Sequence, residues 1–138
     1  MYVMTLDGTS LKAVHTLSNN KGAITALAFN PDGTLLAAGD SAGKIYVYDV
    51  ATGEVKISHW VFHTARITSI AWSPSGRYAV SGSLDTNVFV WSREKTMKKI
   101  AILNAHALST SGVAFLDEET VVSTGADACI KKWKLTHH

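Results

Sequence analysis

From Ile24 onward, apolar and polar side chains alternate with a period close to two, first through "ITALAF" and then, past Pro31-Asp32-Gly33, through "LLAAG". Two-residue alternation carried by β-branched and aromatic residues, punctuated by Pro, Asp and Gly, marks short strands joined by tight turns. The pattern predicts strands over 24–29, 35–38, 44–49 and 54–60, a matching set of four in the next stretch, and a shorter set after that. At the N-terminus, Tyr2 to Leu6 and Ser10 to Leu17 flank an Asp7-Gly8 hairpin signal. Thirteen strands are expected in all.

The alternation is itself repeated. "ITALAFNPDGTLLAAG" from Ile24 recurs as "ITSIAWSPSGRYAVSG" from Ile67, and a weaker copy, "TSGVAFLDEETVVSTG", starts at Thr110, each 43 residues after the last. Leu27, Ile70 and Val113 therefore correspond, as do Phe29, Trp72 and Phe115. A period of about 40 to 45 residues with four strands per unit is the spacing of a propeller blade. The expected fold is all-β, a partial propeller of about three four-stranded blades plus an N-terminal two-strand half blade. Residues 1–19 would supply strands of a preceding blade, 20–62 the first repeat, 63–105 the second, and 106–138 a third lacking its last strand.

Within "FHTARITSIAWSPSGRYAVSGSLDTNVFVW", His63, Asp85 and Trp91 stand where the WD-repeat family has its His, tight-turn Asp and closing Trp, and His106, Asp127 and Trp133 do so in the third repeat. On these residues the chain resembles that family. The resemblance implies a hydrogen-bond chain in each such blade, from Trp indole to a hydroxyl, from hydroxyl to His, and from His to Asp. The implied sets are Trp91, Ser81, His63, Asp85 and Trp133, Thr124, His106, Asp127. In the first repeat the four positions hold Asn20, Ala38, Ala42 and Tyr48. That blade is expected to lack the network and to rely on apolar packing through Ile24, Leu27, Phe29, Ile45 and Val47.

Ser, His and Asp are also the components of a hydrolytic triad. Two features oppose that use: Ser81 falls in a strand with no G-x-S-x-G elbow around it, and the set recurs with a Trp that catalysis does not require. No catalytic residue is assigned. His59 and His63 have a helical metal-binding spacing on a segment that reads as strand and loop, so no metal or other cofactor is expected. Lys98, Lys99, Lys131, Lys132 and Lys134 read as solvated outer strands and blunted edges, and Tyr46, Trp60, Phe62 and Tyr78 as packing. His137 and His138 are given no chemistry.

Composition narrows the classes. The chain has 138 residues, 46% hydrophobic, with thirteen basic and eleven acidic side chains and a formal charge of +2, which is far from the excess of a dedicated nucleic-acid binder. The lone Cys129 forms no internal disulfide, the N-terminus lacks a secretory pattern, and no apolar run approaches the ~20 residues that cross a bilayer. A cytoplasmic setting without nucleic acid or membrane is expected.

A finer likeness lies in "NAHALSTSGVAFLDEETVVSTGADACIKKWKLTHH", which is similar to the C-terminal end of the actin-interacting protein 1 family, while "AAGDSAGKIYVYDV" fits a preceding blade. This implies the actin cytoskeleton, with actin filaments and cofilin as partners and disassembly of cofilin-decorated filaments as the role. The repeat pattern equally permits a WD-repeat adaptor for another complex, such as ubiquitin ligation or chromatin. Contacts in either case are expected on the loops before the first strand and between the second and third strands of each blade, at Thr64, Arg66, Leu84, Leu108 and Ala126. An incomplete ring leaves apolar sheet faces open. The remainder of a propeller, or another copy of the chain, is expected to cover them.

Overall fold

The computed structural model describes residues 2–7, 10–17 and 19–137, with the backbone path alone for 2–7 and 10–16. Strands β1 (Tyr2–Asp7) and β2 (Ser10–Thr16) form a two-stranded antiparallel sheet. The first four-stranded sheet runs in the order β3 (Ile24–Phe29), β4 (Leu35–Asp40), β5 (Ile45–Asp49) and β6 (Val55–Trp60). The second repeats it with β7 (Ile67–Trp72), β8 (Tyr78–Ser83), β9 (Val88–Ser92) and β10 (Lys99–Ile102). The third has β11 (Thr110–Asp117), β12 (Thr120–Gly125) and β13 (Ile130–Lys134). Neighbouring strands are antiparallel throughout, so each sheet is a meander built by local hairpins.

The three sheets are joined along their first strands, since β3 packs on β7 and β7 on β11. Each of these strands carries a bulge at the same place, at Thr25, Thr68 and Ser111. A bulge frees one residue from the ladder and re-aims its side chain. Thr25 Oγ1 uses that freedom to donate to the carbonyl of Ile67 at 2.6 Å, and Thr68 Oγ1 does the same to Thr110 at 2.6 Å. Trp72 Nε1 adds a bond to the Ala28 carbonyl, 3.0 Å away, across the first joint.

Apolar burial follows the same joints. Ile45, Val47, Trp60, Ile67, Phe89 and Trp91 form one core between the first and second sheets, with the Trp60 and Trp91 rings stacked 5.5 Å apart. Val80, Val88, Val90, Ala105, Val121 and Leu135 form the next, between the second and third. Leu27 and Phe29 depart from expectation: they are 53% and 57% exposed, whereas Ile70, at Leu27's position in the second repeat, is 8% exposed. Ile70 and Trp72 are covered by the first sheet. Leu27 and Phe29 lie on the first sheet's other side, so they do not hold that blade together.

The chain's last residues close back on the molecule. Leu135 donates its N–H to the Glu119 carbonyl at 2.7 Å and buries its side chain, and the His137 ring stacks on Tyr78 of the second sheet with centroids 3.8 Å apart. His137 Nε2–H donates to the Glu118 carbonyl at 2.6 Å. His137 thus has a packing role that its terminal position did not reveal. His138 lies outside the described residues.

Candidate functional site

Ser81 sits on β8 directly opposite Ile70 of β7, with both its neighbours in the sheet buried. Its Oγ is 2.8 Å from His63 Nε2 and accepts the Trp91 indole N–H at 2.8 Å. His63 Nδ1 is 2.8 Å from Asp85 Oδ2. An ionised carboxylate can only accept, so Nδ1 carries the imidazole proton and the bare Nε2 accepts from the Ser81 hydroxyl. The carboxylate also takes the N–H of Thr64 at 3.0 Å and, on Oδ1, that of Asn87 at 2.9 Å. Asp85 therefore ties the loop before β7 to the turn after β8.

Charge is distributed accordingly. Burial lowers the His63 pKa below its ordinary value and outweighs the pull of Asp85 in the other direction, so the ring is neutral at pH 7. Burial would raise the Asp85 carboxyl, but the N–H groups of Asn87 and Thr64 and the His63 ring together bring it below the usual carboxylate range. Ser81 is fully buried, and its oxygen already accepts an indole proton. A nucleophile needs an exposed oxygen beside an oxyanion site. This arrangement fixes geometry instead.

The third sheet has the same chain with one difference. His106 Nδ1 lies 2.9 Å from Asp127 Oδ1, but the hydroxyl that joins His106 Nε2, at 2.8 Å, and the Trp133 indole, at 2.9 Å, is that of Ser123 and not Thr124. The chain from Val113 to its partner Ser123 is one residue shorter than that from Ile70 to its partner Ser81, so Ser123 takes the place of Ser81. A fixed offset of 43 residues overshoots by one. The unshifted signal was the four-residue spacing from Ser81 to Asp85, which Ser123 and Asp127 keep. Thr124 faces the other way, where its Oγ1 meets Ser111 Oγ at 3.0 Å. Asp127 is held down to about 2, chiefly by the Ala107 N–H and with help from His106.

The first sheet is not without a network. Tyr48 stands in the Trp position, and its longer hydroxyl reaches Asn20 Oδ1 at 2.8 Å with no bridging Ser. Asn20 Nδ2 in turn donates to Asp40 Oδ2 at 3.1 Å, and Asp40 Oδ1 accepts the N–H groups of Ala42 and Lys44. Asp40 lies two residues before Ala42, the position expected to carry the acid. Residues two apart share a strand face, so Asp40 projects where Ala38 leaves room.

Above the tetrads the expected contact residues share one rim. Thr64, Arg66 and Ala126 are exposed, and Leu84 and Leu108 are 49% and 57% exposed. Leu84 N–H donates to the Arg66 carbonyl and Ala126 N–H to the Ser109 carbonyl, so each turn is held to the loop of its own blade. A bond from His106 N–H to the Thr86 carbonyl, at 3.4 Å, links one blade's rim to the next. Thr86 has φ 75°, a strained conformation for a β-branched residue, on that same rim. Two of the lysines are engaged elsewhere: Lys131 Nζ donates to the Ala105 carbonyl at 2.8 Å and Lys99 lies 3.6 Å from the centre of the Phe62 ring. Among the described residues no cluster of His, Cys, Asp or Glu could hold a metal ion, and no helix is long and apolar enough to cross a membrane.

Four-stranded meanders joined at their first strands and braced by Trp–Ser–His–Asp chains define a WD-repeat β-propeller, a protein-interaction fold. The family model of the Vps8 beta-propeller matches residues 3–123, and the chain belongs to that β-propeller family. Among curated relatives, the chain is 42% identical over 135 residues to the 66 kDa stress protein of Physarum polycephalum, covering 98% of this chain and 22% of that protein. It is 34% identical over 137 residues to Actin-interacting protein 1-2 of Arabidopsis thaliana, covering 99% of this chain and 22% of that protein. The chain thus spans about a fifth of the length of these relatives. Among solved structures, the RRP9 WD40 repeats superpose with a TM-score of 0.76 at 23% identity, over 86% of this chain and 37% of the other, a likeness of fold.

Proposed function

We propose that this chain is part of a propeller that binds actin filaments and acts with cofilin in their disassembly, in the cytoplasm. The observation that carries the reading is the likeness to Actin-interacting protein 1-2 over 99% of the chain. The contact surface is the rim of Thr64, Arg66, Leu84, Leu108 and Ala126, where exposed leucines flank a cation on loops that the half-buried Asp85 and Asp127 hold still. Rigid loops bind with less ordering cost than mobile ones. The propeller contributes no chemistry of its own in this reading, and braces a docking face.

Co-sedimentation with actin filaments, with and without cofilin, tests it. The protein is expected to pellet with filaments, more so with cofilin, and the triple variant Arg66→Glu, Leu84→Ser, Leu108→Ser is expected to lose binding while its thermal melt is unchanged. Equal pelleting of the variant would remove the rim from the account. Absence of any actin or cofilin dependence, with affinity capture of a different complex, would replace the actin role by an adaptor role.

A further inference from the structure

The two internal joints share a close approach that the third sheet's outer face cannot make. Gly39 and Gly82 pair with Ala26 and Ser69, one residue past the bulge of the first strand. A Cβ on Gly39 would lie 2.6 Å from Ile67 Cγ2, and one on Gly82 would lie 2.5 Å from Thr110 Cγ2. Each glycine is therefore a notch into which the next sheet's first inner-strand residue is pressed. In the third sheet that position is Thr124, paired with Gly112. The glycine has moved across the pair, since a Cβ on Gly112 would lie 2.9 Å from Thr124 Oγ1. The hydroxyl that bridges the internal joints changes too. Ser111, at the place of Thr25 and Thr68, is bonded to Thr124 Oγ1 at 3.0 Å.

We propose that Thr124 is a size filter on the open face of the third sheet, which accepts a blade whose inner strand begins with glycine and rejects one that begins with a β-branched residue. A second copy of this chain would present Ile24 there, at the place of Ile67 and Thr110. Its side chain would meet Thr124 where the internal joints have only a glycine hydrogen. Head-to-tail stacking of this chain through a joint of the internal kind is thereby blocked, although Leu27 and Phe29 leave the opposite face exposed. The occupant is a blade of the same repeat type with glycine at that one position. This rests on the propeller assignment and not on the actin reading.

Sedimentation equilibrium on the whole chain tests the filter, with Ile24→Gly as the small-residue probe and Thr124→Gly as the opened notch. Both relieve one collision, so each is expected to tighten self-association by at least about threefold, and the double variant by no more than the better single one. If Thr124→Gly fails to fold, Ile24→Gly alone must still associate more tightly, because Thr124 then faces no side chain. A gain below about threefold in Ile24→Gly, or gains that multiply in the double variant, would overturn the proposal.

Discussion

Replacing Ser81 by Ala removes the one oxygen that serves both His63 Nε2 and the Trp91 indole, each 2.8 Å away. His63 is 3% and Trp91 1% exposed, so water cannot replace either bond. A buried group stripped of its partner costs about 1–3 kcal/mol. Two such groups in one network do not add fully, which gives a loss of about 2–4 kcal/mol for Ser81→Ala. In the third sheet Ser123→Ala strands His106 and Trp133, but Trp133 is only half-buried, so about 1–2 kcal/mol is expected. Thr124→Ala breaks only an exposed hydroxyl pair with Ser111 and is expected to cost less than about 0.5 kcal/mol. Urea unfolding followed by tryptophan fluorescence ranks the three, provided the slope with denaturant is unchanged. The reasoning fails if Ser81→Ala costs less than about 1 kcal/mol, or if Thr124→Ala costs as much as Ser123→Ala.

Three further outcomes are expected. Acid destabilises the fold in two stages: the unfolded chain takes up a proton at His63 near 6.5 while the folded one resists, and Asp85 and Asp127, both held below 3.8, lose their contribution as pH falls from 3.8 toward about 2. Urea midpoints should therefore decline below pH 6.5 and more steeply below 3.8; a midpoint that rises between pH 7 and 5 contradicts this. Tyr48→Phe strands Asn20 and should cost about 1 kcal/mol in the same assay, whereas a neutral result would mean that the first sheet's network carries no load. Thr110 Oγ1 is buried without a partner, so Thr110→Val, which keeps the methyl seated against Gly82, should raise stability by about 1 kcal/mol, and a loss would show an unseen partner for that hydroxyl.

The strand pattern was legible because period-two alternation and turn residues are local signals, and thirteen strands are present among the described residues. His63, Ser81, Asp85 and Trp91 were legible through a motif whose spacing is fixed by the sheet itself. Ser123 was lost because alignment by a constant period ignores a hairpin whose path between paired residues is one residue shorter, while the strand pairing does not. Asp40 was missed because an acid two positions away looks like a vacancy in a motif, although face periodicity keeps it on the same side. The exposure of Leu27 and Phe29 depends on which sheet covers which face, and that information lies outside the segment. The His137–Tyr78 stack joins residues far apart in sequence and leaves no periodic trace.

What the rest depends on is that the buried His63 imidazole holds the rim in place as a neutral relay. Long-range proton–nitrogen NMR of His63 tests this directly. Its ring is expected as the Nδ1–H tautomer at pH 7, with a Trp91 indole proton that exchanges slowly with solvent. An Nε2–H tautomer at His63, or an indole proton that exchanges as fast as a free one, would contradict the account.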